Sequence, residues 1–255
     1  MADWQFTYNG WTFGDGTDYD VVDIDGFGLA DIRRRDVDLP TGHGAFSGLD
    51  FYADRVVRFR IEVASDTDTD AAFESALATM RTATAAQSSD LALTIDLPGQ
   101  TVKRLECRPA RRRAPVDFTH SRRLARVDLE FIAADPLFYE NTAVDTVITT
   151  ATAVTNSGDT PAKWTAAITG ATNPTLTDNG SALTLAFTAN GGLSGAVDIT
   201  SSARAHTATQ SGTSKYGHLS DVSEFFLLNV GANSLTYTGG GTCTVTHRHA
   251  YSALV

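Results

Sequence analysis

R-V-D-L-E-F-I-A-A-D-P-L-F-Y-E, residues 126–140, changes character half-way along. Val127, Leu129 and Phe131 alternate with Asp128 and Glu130, the period-2 pattern of a strand with one buried face. Pro136 then stops the ladder, because proline has no N–H to donate and holds φ near −65°. Leu137, Phe138 and Tyr139 follow, apolar enough to seek cover just after the turn. Composition breaks at the same place. Of 20 Lys+Arg and 30 Asp+Glu, 16 and 24 precede Asn141, whereas 23 of the 115 residues from Asn141 on are Thr. The reading is of two domains, residues 1–140 charged and residues 141–255 bland, joined by the end of one strand.

The totals narrow the function classes. A net charge of −10 and a pI near 4.9 argue against nucleic-acid binding, which needs a basic surface to displace phosphate counterions. The basic runs Arg33–Arg35, Arg111–Arg113 and Arg122–Arg123 sit in a segment where 24 acids outnumber 16 bases. No apolar run approaches 18 residues, so no membrane span is expected, and the first residues lack the basic-then-apolar order of a secretory signal. Cys107 and Cys243 fall in different halves, so free thiols in a reducing compartment are expected.

Around the opening strand the pattern is almost wholly β. Aromatics alternate over residues 4–13 about Asn9-Gly10, a two-residue hairpin signal. Strands are expected at 19–24, 51–63, 91–97, 102–108 and 122–132. The acidic stretch Asp66–Asp70 offers helix N-caps, and Phe73, Leu77, Met80 and Thr84 recur at helical spacing, which predicts one helix near residues 70–87. Pro40–Gly48 reads as a mobile loop and Arg111–Pro115 as a basic one. In the second half, strands are expected at 144–148, 162–168, 183–187, 196–199, 224–228, 234–237 and 243–249. Turn signals such as Asn156-Ser157-Gly158 and Gly239-Gly240-Gly241 separate them, the mark of a sandwich or jelly roll.

No catalytic motif emerges. Gly192-Leu193-Ser194-Gly195-Ala196 misses the last glycine of a nucleophile elbow, and there is no P-loop or H-E-x-x-H. Asp23-Ile24-Asp25-Gly26 fails as a calcium loop, since Val21 and Ile32 would occupy ligand positions. His247 and His249 share a strand face and, with His218 or His206, stand either for a metal site or for polar decoration. Trp164 and Tyr216 are either sugar-stacking platforms or core. The expectation is of a chain that is not an enzyme and holds no metal or cofactor.

In order, these features resemble the distal tail protein family, or minor tail proteins, of long-tailed non-contractile phages. Asp135-Pro136-Leu137-Phe138-Tyr139 is similar to the D-P-x-F/W-Y signature that closes the family's first domain. Asn156–Asp159 with Pro161-Ala162 is similar to its N-x-G-x-x-P-A segment. Ile168–Gly170 through Asn173-Pro174 is similar to its I-x-G-x-x-N-P turn, and Phe226–Asn233 to its L-x-P-G-x-N segment. The resemblance implies an N-terminal β-sandwich or split barrel with one helix, then a galectin-like jelly-roll sandwich. It implies a virion protein assembled in the host cytoplasm, a ring, usually a hexamer, made by the first domain. Its partners would be further copies, the tail tube protein, and the tip proteins with the tape-measure end. A closed ring needs two different patches that meet between neighbours. Arg33, Arg34, Arg35, Asp36 and Asp38, with Arg111, Arg112 and Arg113, are the candidate interface residues, their opposite charges setting register. The alternative is a lectin-like module contacting the host surface through Trp164 or Tyr216.

Overall fold

The computed structural model describes residues 4–39, 41, 43, 45–64, 69–116 and 118–254. Of the expectations above, the caps Asp66, Thr67 and Asp68 and loop positions 40, 42 and 44 lie outside the described residues. The protein is mainly β, with a single α-helix among the described residues. Contacts group residues up to Asn141, together with those from Ser252 on, into one unit, and Thr142–Tyr251 into another.

In the first unit β1 (Gln5–Tyr8) and β2 (Trp11–Gly14) form the hairpin expected from Asn9-Gly10, whose φ values of 49° and 75° are the left-handed pair such a turn needs. β3 (Tyr19–Asp25) leads into an excursion of four two-residue strands: β4 (Ile32–Arg33), β5 (Val37–Asp38), β6 (Ala45–Phe46) and β7 (Phe51–Tyr52). β4 pairs with β7 and β5 with β6, so the described residues of 29–53 form two short antiparallel ribbons, referred to below as the arm. Part of the expected mobile loop is therefore ribbon. β8 (Arg55–Ala64) precedes α1 (Asp70–Ala83); β9 (Leu91–Asp96), β10 (Lys103–Arg113), β11 (Leu124–Ala133) and β12 (Phe138–Glu140) complete the unit.

The strands run β2-β1-β9-β10-β11-β8-β3, with β12 also on β10. β10 serves two layers. Lys103–Cys107 pair with β9, whereas Arg108–Arg113 pair with β11 across a bulge between Pro109 and Arg111. The bulge leaves Ala110 unpaired directly after Pro109, the strand residue that has no N–H to give a ladder. It also corrects the reading of Arg111–Arg113 as loop: they continue β10 opposite Asp128–Glu130. The two layers face each other through aromatic rings. Phe6 meets Phe59 edge-on at 5.0 Å, Tyr8 meets Phe131 at 4.8 Å, and Phe13 meets Phe59 at 5.2 Å. Each such pair is worth about 0.5–1.5 kcal/mol beyond its area.

α1 buries Phe73, Ala76, Leu77, Met80 and Ala83, the expected stripe. Thr69 caps it, accepting from the Ala72 N–H at 3.2 Å. It ends at Ala83, short of the expected 87. There both the N–H and the hydroxyl of Thr84 are drawn to the Met80 carbonyl, the hydroxyl at 2.7 Å.

The D-P-L-F-Y segment becomes a clamp. Asp135 Oδ2 accepts from the Tyr139 hydroxyl at 2.9 Å. The Pro136 carbonyl accepts from Arg55 Nε at 2.6 Å, and the Arg55 guanidinium lies 4.3 Å over the Phe138 ring.

The second unit is a two-sheet sandwich. Its strands are β13 (Val144–Ile148), β14 (Thr152–Asn156), β15 (Trp164–Thr172), β16 (Thr175–Asp178), β17 (Leu183–Ala186), β18 (Ser194–Ser201), β19 (His206–Gln210), β20 (Thr213–Ser214), β21 (Gly231–Thr238) and β22 (Thr242–His247). One sheet runs β13-β22-β15-β18-β19-β20 and the other β14-β21-β16-β17. Residues 224–228, expected as a strand, make only a bridge from Leu228 to Ala162. Phe226 is buried there, and its carbonyl accepts from Trp164 Nε1 at 2.8 Å and from the Ser201 hydroxyl, so side chains take the place of a ladder.

The asparagines of the motifs lock turns. Asn156 Nδ2 donates to the Thr160 carbonyl at 2.8 Å while its Oδ1 accepts from the Gly158 N–H at 3.1 Å. Asn173, at φ 51°, accepts from the Leu193 N–H. Asn233 donates to the Asn229 carbonyl at 2.9 Å and accepts from the Asn229 N–H at 2.8 Å. Each side chain replaces a partner that a buried backbone group needs.

Candidate assembly surface

The solvent face of the first unit carries an ordered charge pattern. Register aligns Asp25, Arg58, Glu130 and Arg111 in one row across β3, β8, β11 and β10, and Asp23, Arg60, Asp128 and Arg113 in the next. Signs alternate strand by strand. Arg58 lies 3.4 Å from Asp25 and 3.1 Å from Glu130, and Arg60 lies 3.3 Å from Asp128. These residues line a shallow trough of about 320 Å³, with Arg111 and Arg113 along one side and Asp23 and Asp25 along the other. Because the row charges cancel pairwise, the face carries a pattern of charge with little net charge.

Arg112 points the other way, toward the helix. Its Nη1 donates to the Arg81 carbonyl at 3.0 Å and to the Thr84 hydroxyl at 2.7 Å, tying β10 to the C-terminal end of α1, where a cation is favoured. Beside it lies a groove of about 370 Å³ lined by Leu77, Met80, Pro115, Val116 and Ala125. Arg81, Arg112, His120 and Glu74 rim it.

The arm holds the other predicted interface residues. Arg33, Arg34, Arg35 and Asp36 are exposed. The Arg35 guanidinium sits 5.4 Å from the Phe51 ring, and Asp36 Oδ1 accepts from the Gly48 N–H at 3.0 Å. Asp38 pairs through its backbone with Ala45. The predicted interface thus divides among arm, trough and helix side. What the sequence reading missed is apolar. Leu29, Ile32, Val37, Phe46, Leu49, Phe51 and Tyr52 are all exposed on the arm, Leu49 at 75 %. Apolar residues between glycines, with no period to bury them, were the available signal.

In the second unit Trp164 is 1 % exposed and hydrogen-bonded to Phe226, so it is core and presents no face to a sugar. Tyr216 is 45 % exposed; its hydroxyl donates to the His206 carbonyl, and the His206 ring stacks on Phe225 at 4.5 Å. Among the described residues no three His, Cys, Asp or Glu are grouped to hold a metal. His247 Nε2 donates to the Thr155 carbonyl at 2.9 Å, His249 Nδ1 accepts from Ser157, and His218 Nδ1 bonds the Gly192 carbonyl. Burial pushes the Cys243 thiol up to about 12 and raises Cys107 as well, so both free thiols stay protonated. Among the described residues no helix is long and apolar enough to cross a membrane.

The crystal structure of the Dit protein (gp 19.1) of phage SPP1 superposes on this chain with a TM-score of 0.72 at 16 % identity, over 97 % of this chain and 98 % of that one. The fold is that of Dit. That protein is described as a paradigm of the hub adsorption apparatus in phages infecting Gram-positive bacteria. Chains of the phage p2 baseplate in its activated conformation superpose on this chain less closely. With calcium the TM-score is 0.56 at 6 % identity, and with strontium 0.55 at 7 %, each over the full length of both chains. No protein-family model matches the sequence, and no curated protein does. The resemblance drawn from the ordered motifs therefore holds at the level of fold, over both units of the Dit architecture.

Proposed function

We propose that this chain is a structural virion protein at the tail tip of a long-tailed, non-contractile phage. Its first unit closes into a ring, a hexamer, that joins the tail tube to the tip or receptor-binding apparatus. It acts by shape and assembly, without a catalytic step. The observation that carries this reading is the Dit fold extending over 97 % of the chain. The alternating charge rows and the apolar arm support it, because a ring requires two dissimilar surfaces on each protomer. The partners are further copies, the tail tube protein, and the tip proteins with the tape-measure end.

Light scattering after gel filtration, with negative-stain imaging, tests the reading. Closed rings of six are the expected result, and monomers alone at every concentration up to those used for tail assembly would overturn it. A lectin-like role now rests on Tyr216 and its neighbours. Binding to host cell-wall polysaccharide that disappears in Tyr216→Ala would support that role, and equal binding by the variant would end it.

A further inference from the structure

The large apolar residues exposed on the first unit concentrate in two places. Seven lie on the arm, and the next group is Val116 and Phe118, 80 % and 73 % exposed, in the segment joining β10 to β11. That segment forms one wall of the α1 groove. Two separate apolar patches on one protomer are what a head-to-tail contact consumes, since each copy uses one patch on each neighbour. We infer that residues 45–52 of one copy seat in the groove between α1 and the β10–β11 segment of the next. The inference rests on the ring reading and names the contact that closes it.

Shape and charge select this half of the arm. Residues 45–52 read A-F-S-G-L-D-F-Y, so Phe46 and Leu49 bring open apolar surface beside one acid, Asp50, while Phe51 lies under the Arg35 guanidinium. The groove answers with Leu77, Met80, Pro115 and Val116, and its rim carries two arginines and a histidine against one glutamate. The other half of the arm carries Arg33–Arg35, which the basic rim disfavours. A groove of about 370 Å³ takes one or two large side chains, which makes Leu49, the most exposed of the arm's apolar residues, the natural anchor.

Disulfide trapping reads the contact directly. Cys107 and Cys243 are buried, so mild oxidation of the full chain reports only on introduced thiols. Leu49→Cys combined with Val116→Cys should give a ladder of linked species reaching ring size on a non-reducing gel. Mixing the two single variants should give a linked dimer and nothing larger. Leu49→Asp alone should weaken assembly about tenfold or more while the monomer's melting temperature holds. If wild-type chain forms rings yet the double variant gives no ladder, or links only within one chain, the arm docks elsewhere and the ring survives as a reading. If wild-type chain never leaves the monomer, the ring fails and this contact fails with it.

Discussion

Arg55 is 3 % exposed, and the groups its side chain donates to are all backbone carbonyls. Nη1 reaches Gly26 at 2.6 Å and Gly28 at 2.5 Å, Nη2 reaches Ser252 at 2.6 Å, and Nε reaches Pro136 at 2.6 Å. Burial lowers its pKa to about 10, which still leaves it charged at neutral pH. Nothing near it in sequence announces this role, because its acceptors lie as far as 197 residues away and belong to the main chain. The planar guanidinium spans three chain segments; an ammonium carries its three donors on one compact nitrogen and does not reach all of them. Arg55→Lys should therefore lower the stability of the first unit by about 3 kcal/mol, through carbonyls left without donors. Urea titration reads the loss, and an unchanged midpoint would refute the clamp. His247 gives a second residue-scale prediction. It is buried with Nε2 on the Thr155 carbonyl and Nδ1 without a partner, and desolvation lowers its pKa from the ordinary 6.5. Below about 6.5 the unfolded chain takes up a proton that the folded chain resists, so stability present above that pH declines as pH falls. His247→Gln, which keeps an Nε2 donor, should flatten the melting-temperature difference between pH 7.5 and 5. Parallel decline of wild type and variant would remove His247 as the source.

β8 and β11, whose inward positions are all apolar, were legible, and β14 and β16, each with a polar residue turned inward, were not. β8 and β11 alternate without a break, and their register of Arg60 opposite Asp128 follows from the same period that exposed their charges. β14 and β16 place Asn156 and Asp178 inward, 0 % and 2 % exposed, and these polar residues interrupt the apolar alternation. Asp178 is there to hold the next turn, accepting from the Gly180 N–H at 3.1 Å and the Ser181 N–H at 3.3 Å. At this scale the charge rows make a graded prediction. Both members of the Arg60–Asp128 pair are more than half exposed, so Arg60→Ala should change stability by less than about 0.5 kcal/mol. Arg60→Glu instead sets an acid between Asp23 and Asp128 in one row and should cost about 1 kcal/mol. Half-molar salt should erase most of that cost, because the Debye length falls to about 4 Å. A salt-independent loss of the same size would mean that packing, not the charge row, is responsible.

Across the whole molecule the two composition zones correspond to two units, yet one connection escaped the sequence. After Tyr251 the chain returns to the first unit: the Leu254 N–H donates to the Phe27 carbonyl at 2.9 Å, and Gln100 Nε2 reaches the Leu254 carbonyl at 3.4 Å. The Ser252 carbonyl is also one of the acceptors that hold Arg55. These three main-chain hydrogen bonds cannot be read from Ser252-Ala253-Leu254-Val255, which has no period and no motif. Its consequence is that residues last in sequence stabilise the unit first in sequence. Removing residues from Ser252 on should leave a partner missing for Arg55 and for Phe27, and destabilise the first unit by about 2 kcal/mol. Hydrogen exchange followed by mass spectrometry separates the units by peptide. Faster exchange is expected around Gly26–Phe27 and Arg55–Phe59, with residues 142–251 keeping their protection. Exchange that rises only within 142–251, or nowhere, would show that these last residues contribute nothing to the first unit, and the Arg55 clamp would then have to hold through Gly26, Gly28 and Pro136 alone.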